Sequence, residues 1–147
     1  MKQNIYTGYN SYKKISNILE EVSPKKIFLV TGKKSYFLSG AENLLSEFIN
    51  KYNYFRFYDF ETNPKLKDLI NGINIFNKEK CDIVIGVGGG TVMDIAKSVS
   101  ILATQKGDLE EFIKGEISLK ERQISSVMIP TTAGTVSEST HFSVIYI

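Results

Sequence analysis

Apolar residues follow two alternating patterns along the chain. Short runs rich in β-branched and aromatic residues predict buried strands, whereas apolar residues three and four positions apart predict the buried face of a helix. The strand-forming runs occupy residues 5–9, 26–31, 54–60, 82–87, 126–129 and 141–147. Helical spacing covers residues 15–22, about 38–52, 66–76, 92–102 and 109–113. This alternation is typical of βαβ units, and it predicts an α/β domain built on a parallel sheet.

Residues with capping and turn chemistry mark the ends of several predicted helices. The side chains of Ser11 and Asp108 can accept hydrogen bonds from the first turn of a helix, so each predicts a helix start. Pro24 predicts the end of the first helix, and the pair Asn63-Pro64 predicts a turn with the proline at the start of another.

The glycine-rich stretch 82–97 joins a predicted strand to a predicted helix through Gly88, Gly89 and Gly90. Such a joint directs unpaired backbone N–H groups and the positive end of the helix dipole to one point, where a phosphate is stabilised. The turn matches neither the dinucleotide fingerprint, which would have glycine in place of Thr91, nor a P-loop. A tight turn without a ligand therefore stays open as an alternative.

Two further turns with similar chemistry follow predicted strands. Residues 32–35 (Gly-Lys-Lys-Ser) and 131–135 (Thr-Thr-Ala-Gly-Thr) offer hydroxyl groups and unhindered backbone amides. The carboxyl ends of parallel strands lie at one edge of a sheet, and ligands collect beyond that edge. Three such turns at one edge predict a site for a long phosphorylated ligand, such as a dinucleotide.

The composition changes this picture little. The chain has 147 residues, of which 42% are hydrophobic, and a net charge of +2, with both signs interspersed. These values favour one domain, residues 1–147, with no nucleic-acid-binding surface. The start of the chain lacks the apolar core of a signal peptide, and no apolar run approaches the length of a membrane span. Cys81 is the single cysteine, so a disulfide framework is excluded and a cytoplasmic location is predicted.

Two longer motifs resemble those of a known family. The stretch 88–97, GGGTVMDIAK, resembles the GGGSxxDxAK motif of the iron-containing (group III) alcohol dehydrogenases. The stretch 130–138, PTTAGTVSE, resembles their PTTAGTGSE motif, and an Asn-Pro pair at 63–64 falls where the family usually has one. Thr91 replaces the usual serine and keeps its hydroxyl, while Val136 replaces a glycine. The resemblance covers nearly the whole chain.

This resemblance implies a Rossmann-like nucleotide-binding domain, of the fold shared with dehydroquinate synthase, and hydride transfer between NAD(P) and an alcohol or aldehyde. The glycine turn is then the pyrophosphate site, the loop after the second strand lies near the adenine ribose, and the threonine loop lines the nucleotide. The residues implied to bind the cofactor are Gly32, Ser35, Asn63, Gly88, Gly89, Gly90, Thr91, Asp94, Thr131, Thr132 and Thr135.

The resemblance also bears on cofactor preference. Members of the family that are selective for NAD often have Thr-Asp where this chain has Thr31-Gly32. Without that carboxylate a 2′-phosphate is tolerated, and a neighbouring lysine or Ser35 can bind it. We therefore expect NADP(H) to be favoured over NAD(H).

A catalytic iron or zinc ion belongs, by the same resemblance, to a second, helical domain that supplies an aspartate and three histidines. His141 is the single histidine here, and one imidazole does not hold a metal alone. We therefore expect this chain, which ends before that domain, to contain no metal ligands and no catalytic residues and to have little or no activity of its own. Apolar surface left uncovered predicts self-association.

Three narrower questions stay open. Glycerol or glycerol-1-phosphate dehydrogenases and dehydroquinate synthase share the fold, although Ala-Gly-Thr at 133–135 with Ser-Glu at 137–138 favours the alcohol dehydrogenases. A module that binds a dinucleotide without catalysis is the alternative from another class. Residues 140–146 resemble a subgroup associated with phosphonoacetaldehyde reduction, which suggests a substrate.

Overall fold

The computed structural model of the chain describes residues 3–120, 124–131 and 143–146. Its strands are β1 (Gln3–Tyr6), β2 (Ile27–Thr31), β3 (Tyr54–Phe57), β4 (Ile83–Gly88), β5 (Ser125–Pro130) and β6 (Ser143–Tyr146). Its helices are a 3₁₀ turn (Ser11–Lys13), α1 (Lys14–Val22), α2 (Ser35–Leu38), α3 (Ala41–Ile49), α4 (Leu66–Lys78), α5 (Gly90–Leu102) and α6 (Leu109–Ile113). Within these ranges no helix is long and apolar enough to cross a membrane.

The strands form one sheet in the order β1-β6-β5-β4-β2-β3. Neighbours among β3, β2, β4 and β5 pair in parallel, which confirms the predicted α/β architecture with a parallel sheet. The strand β6 pairs antiparallel with β5, and β1 pairs antiparallel with β6. The sequence pattern did not predict this change of direction, because strand–helix alternation constrains only strands joined through a helix.

The central strands are buried on both faces, as their continuous apolar runs predicted. Along β2, Phe28 and Val30 pack into the core that α4 and α5 cover, while Ile27 and Leu29 pack into the core beneath α1 and α3. All four side chains are at most 1% exposed. Two cores, one on each side of the sheet, therefore hold the carboxyl ends of the strands in a fixed arrangement.

Two predicted helix boundaries are wrong. Asn10, in a left-handed conformation, precedes the 3₁₀ turn, and Ser11 is the first residue of that turn and not the cap of a long helix. The helix predicted over about 38–52 is the shorter α3 (Ala41–Ile49), and a separate short helix, α2, ends at Leu38 before it. Gly40 is the N-cap of α3, and its φ of 79° is a conformation that glycine adopts without strain. Asp108, in contrast, caps α6 as predicted, accepting hydrogen bonds from Glu110 N and Glu111 N.

The amino-terminal edge of the sheet is tied together by one carboxylate. Asp82 accepts hydrogen bonds from the backbone N–H groups of Lys25 at 2.9 Å and Lys26 at 3.1 Å, so it joins the starts of β2 and β4. Lys26 also forms an ion pair with Glu79. Cys81 is buried beside this cluster, and burial raises the pKa of its thiol to about 12, so the thiol is protonated and unreactive at neutral pH.

Candidate functional site: a cleft over a glycine turn

The glycine turn passes directly from strand to helix. Gly88 is the last residue of β4, Gly89 is the N-cap of α5, and Gly90 is its first residue. The first hydrogen bond of the helix runs from Met93 N to Gly89 O at 3.0 Å, so the N–H groups before Met93 have no partner within the helix. Gly89 also provides no capping side chain, so no side chain in the described part of the molecule occupies these donors, and such a helix start can bind an anion.

Glycine is required at Gly86, Gly88 and Gly90 for different reasons. A Cβ at Gly88 would lie 2.6 Å from Val92 Cγ2. A Cβ at Gly86, two residues earlier on the same strand, would lie 2.7 Å from Ala96 Cβ. Both positions therefore allow α5 to pack closely on β4. A Cβ at Gly90 would meet no atom within 4 Å, so the space beside it is open to a ligand. Sequence reasoning assigned Gly88 to the ligand and did not recognise Gly86, because the packing partner is visible only in the fold.

The end of β5 lies against this turn. Thr131 N donates a hydrogen bond to Gly88 O at 2.9 Å, and Pro130 pairs with Gly88 in the sheet. The threonine loop therefore begins beside the glycine turn, at the edge where the sequence placed both. Thr132, Thr135 and His141 lie outside the described residues.

A cleft of about 790 Å³ opens above the turn. Its floor is formed by residues 89–92, one wall by Gly32, Lys33 and Ser35 after β2, and the other by residues 58–62 after β3. Lys67, Asp68 and Asn71 of α4 complete the lining. The cleft thus extends over the ends of the neighbouring strands β4, β2 and β3, at the edge of the sheet where ligands of α/β proteins collect.

Several of the predicted site residues line this cleft and others do not. Those in the lining are Gly32, Ser35, Gly89, Gly90 and Thr91. Asn63 follows directly after Thr62 of the lining, and Thr131 lines a separate small pocket of about 60 Å³ together with residues of α3. Asp94 lies elsewhere, in a separate depression of about 310 Å³ that Leu66 and Ile113 also line. The hydroxyl of Thr91 donates to the carbonyl oxygen of Thr62 at 2.6 Å, which ties the first turn of α5 to the wall above it.

The cleft contains charges of both signs. Lys33 and Lys67 line it together with Asp59, Glu61 and Asp68. Asp68 is 9% exposed, and its carboxylate accepts a hydrogen bond from Lys65 N at 2.8 Å, so it caps the start of α4. The sequence interpretation considered only the loop after β2 and missed the two carboxylates that the loop after β3 brings into the same cleft.

No group of three or more histidine, cysteine, aspartate or glutamate side chains in the described ranges could hold a metal ion. These residues therefore do not fit a metal centre.

The chain from residue 2 to residue 147 matches the model of one protein family, described as iron-containing alcohol dehydrogenase. The chain belongs to the iron-containing alcohol dehydrogenase family. The NAD-dependent methanol dehydrogenase of Bacillus methanolicus is 30% identical to it over 144 residues, which are 94% of this chain and 36% of that protein. The 1,3-propanediol dehydrogenase of Citrobacter freundii is 41% identical over 85 residues, which are 58% of this chain and 22% of that protein.

The fold of this family member matches a solved structure as well. A 1,3-propanediol oxidoreductase superposes with a TM-score of 0.73 and 28% identity, over 93% of this chain and 39% of that one. The family and the α/β fold predicted from the motifs are therefore confirmed. The chain spans between about a fifth and two fifths of the length of these relatives.

Proposed function

We propose that this chain, as one domain, binds a nicotinamide dinucleotide along the cleft, as the cofactor-binding part of an alcohol dehydrogenase. The observation that carries the proposal is the bare start of α5, a 13-residue helix that opens onto the floor of an extended cleft. The relative from Bacillus methanolicus is named as NAD-dependent, which supports the same class of cofactor.

The proposed cofactor is held by three parts of the cleft. The N–H groups at Gly90 and Thr91, with the helix dipole behind them, bind the pyrophosphate. The loop of Gly32 and Ser35 accommodates the adenosine ribose, and Thr131 lies beside the glycine turn through its hydrogen bond to Gly88 O. When bound, the nicotinamide ring accepts or gives the hydride that an alcohol or aldehyde exchanges.

The proposal includes two finer points about the reaction. The substrate is a small alcohol or aldehyde, and the resemblance at residues 140–146 supports a phosphonoacetaldehyde-like compound. The polypeptide alone has little or no dehydrogenase activity, since its described residues contain no set of metal ligands. NADH oxidation in the presence of aldehyde and added Fe²⁺ or Zn²⁺ tests this, and steady turnover would contradict it.

Cofactor preference is the first test of the proposed site. We expect NADPH to bind at least as tightly as NADH in side-by-side calorimetric titrations, because Lys33 lines the cleft beside Gly32 and no carboxylate stands in the loop after β2. Asp59 and Glu61 act against this preference from the other wall, so Asp59→Asn should strengthen NADPH binding more than NADH binding.

A matched pair of variants locates the source of the preference. Lys33→Gln should weaken NADPH binding about tenfold, in line with the loss of one charge-assisted contact, and should affect NADH little. Lys34→Gln removes the same charge from the neighbouring residue, which does not line the cleft, and should change neither affinity. Tenfold tighter binding of NADH than of NADPH to the unmodified chain would contradict the expected preference.

We also propose that the chain self-associates. Large apolar side chains are exposed at Phe37 (53%), Leu38 (84%) and Ile113 (49%), and apolar surface of this kind drives association in water. Light scattering should therefore give a mass above the 16.6 kDa of one chain at high protein concentration. A constant monomer mass across the accessible concentration range would argue against the proposal.

A further inference from the structure

Arg56 lies on the edge strand β3, beside Leu29 of β2, and its side chain reaches past the end of β2. Its Nε donates a hydrogen bond to Thr31 Oγ1 at 2.8 Å. Its Nη2 donates to the carbonyl oxygens of Gly32 at 2.9 Å and Lys33 at 3.0 Å. One guanidinium therefore binds an acceptor on each of three consecutive residues, and these residues lead into the wall of the cleft.

Aromatic rings hold the guanidinium in place. Its central carbon lies 4.3 Å from the ring centre of Tyr58, 4.8 Å from that of Phe37 and 5.3 Å from that of Tyr36. Stacking of this kind limits the rotamers open to the side chain, since the planar cation is attracted to the ring faces. Arg56 is thus a rigid anchor at the end of β2.

The hydrogen bonds of Arg56 determine what the loop presents to the cleft. Carbonyl oxygens carry partial negative charge, so carbonyl groups directed at a phosphate would repel it. Those of Gly32 and Lys33 are bound to the guanidinium, while the same two residues line the cleft. Arg56 itself is not part of that lining; it lines an adjoining depression of about 420 Å³ that shares Lys33 and Asp59 with the cleft. Its hydrogen bonds to the loop therefore connect it to residues that line the cleft.

We propose that Arg56 is the positioning residue for the adenosine end of the cleft. By binding the three acceptors of Thr31, Gly32 and Lys33, it holds the loop with Lys33 towards the ligand, and so determines how tightly a 2′-phosphorylated adenosine is bound. This inference rests on the proposed function, because it concerns the same cleft.

Two ligands that occupy different parts of the cleft in the proposed binding mode test the proposal by calorimetric titration. The probe for the adenosine end is 2′,5′-ADP, and the probe for the glycine turn is inorganic pyrophosphate. In Arg56→Met we expect affinity for 2′,5′-ADP to fall at least tenfold and affinity for pyrophosphate to stay within twofold. If Arg56 only stabilised the fold, its loss would lower the affinity for both ligands by similar factors.

Two more conservative variants distinguish the hydrogen-bonding geometry of Arg56 from its charge. They also perturb the fold less than Arg56→Met does. Arg56→Lys keeps the charge but cannot donate to three oxygens in fixed directions, so it should lose most of the 2′,5′-ADP affinity as well. Thr31→Val keeps the buried shape but removes the hydroxyl that accepts from Arg56 Nε and donates to Gly32 O, and it should cost a few-fold in the same affinity. Lys51→Met removes an equivalent charge from an exposed residue outside the cleft and should change the affinity for neither ligand.

The outcomes are distinguishable. Unchanged 2′,5′-ADP affinity in Arg56→Met, wild-type affinity in Arg56→Lys, or parallel loss of both ligands would each overturn the positioning role while the proposed function stands. Failure of the unmodified chain to bind pyrophosphate, 2′,5′-ADP and NADPH would overturn both.

Discussion

Replacement of Gly89 by aspartate is expected to abolish dinucleotide binding and to leave the fold intact. Gly89 is the N-cap of α5 with φ of −85° and ψ of −169°, an extended conformation that other residues adopt. Aspartate is a favourable N-cap, because its carboxylate accepts hydrogen bonds from the first turn of the helix. In Gly89→Asp that carboxylate would occupy the donors that the pyrophosphate needs and would repel it. We expect a loss of roughly 100-fold or more in affinity, about 3 kcal/mol.

The matched control for this prediction is Gly89→Asn. Asparagine is nearly the same size and also caps helices, but it carries no charge, so a smaller loss of affinity is expected. Titrations with NADPH and thermal melts of both variants provide the measurement, and neither melting temperature should fall. Undiminished affinity in Gly89→Asp would show that the dinucleotide does not bind at the start of α5.

Gly86→Ala should lower the stability of the chain strongly. Its new Cβ would lie 2.7 Å from Ala96 Cβ, 3.2 Å from Met128 Sδ and 3.3 Å from Met93 Cε. The methionine ends can move, but the Cβ of Ala96 is fixed to the backbone of α5, so the helix must shift away from β4. Overpacking of this kind costs about 3 kcal/mol in the free energy of unfolding.

Urea denaturation of two further variants tests the cause. Gly90→Ala adds the same methyl group where no atom lies within 4 Å, so its free energy of unfolding should stay within about 0.5 kcal/mol of the unmodified value. Gly86→Ala combined with Ala96→Gly removes the clashing atom and should recover part of the loss, although a glycine inside a helix costs about 1 kcal/mol. Equal midpoints for Gly86→Ala and the unmodified chain would refute the close-packing role.

Much of the fold was predictable because buried positions are occupied by apolar residues, which can be recognised in the sequence. The apolar runs of β2, β4 and β5 are continuous because these strands are covered on both faces, and the glycine turn was recognisable from local chemistry alone. The start of α3 was predicted too early because Leu38, the last residue of α2, stands three positions before Ala41, at helical spacing. A pattern of apolar positions indicates which residues are buried, but it does not show where one short helix ends and the next begins.

The parts of the site that were missed depend on which strands are neighbours. Arg56 reaches the loop after β2 only because β3 pairs with β2. The order of the strands in a sheet cannot be predicted from the local pattern of one sequence. Asp59 enters the cleft for the same reason. Asp94 is close to the glycine turn in sequence but does not line the cleft. It follows the turn by one helical turn, and it lines a separate depression on a different side of α5.

The hydroxyl of Thr91 has a consequence for the flexibility of the whole binding region. Because threonine is branched at Cβ, few orientations are open to it within a helix, and its hydrogen bond to the Thr62 carbonyl is correspondingly rigid. A serine at the same place would rotate more freely. The segment that carries Asp59 is thereby coupled to the start of α5, so a ligand that displaces the helix terminus must displace this segment with it.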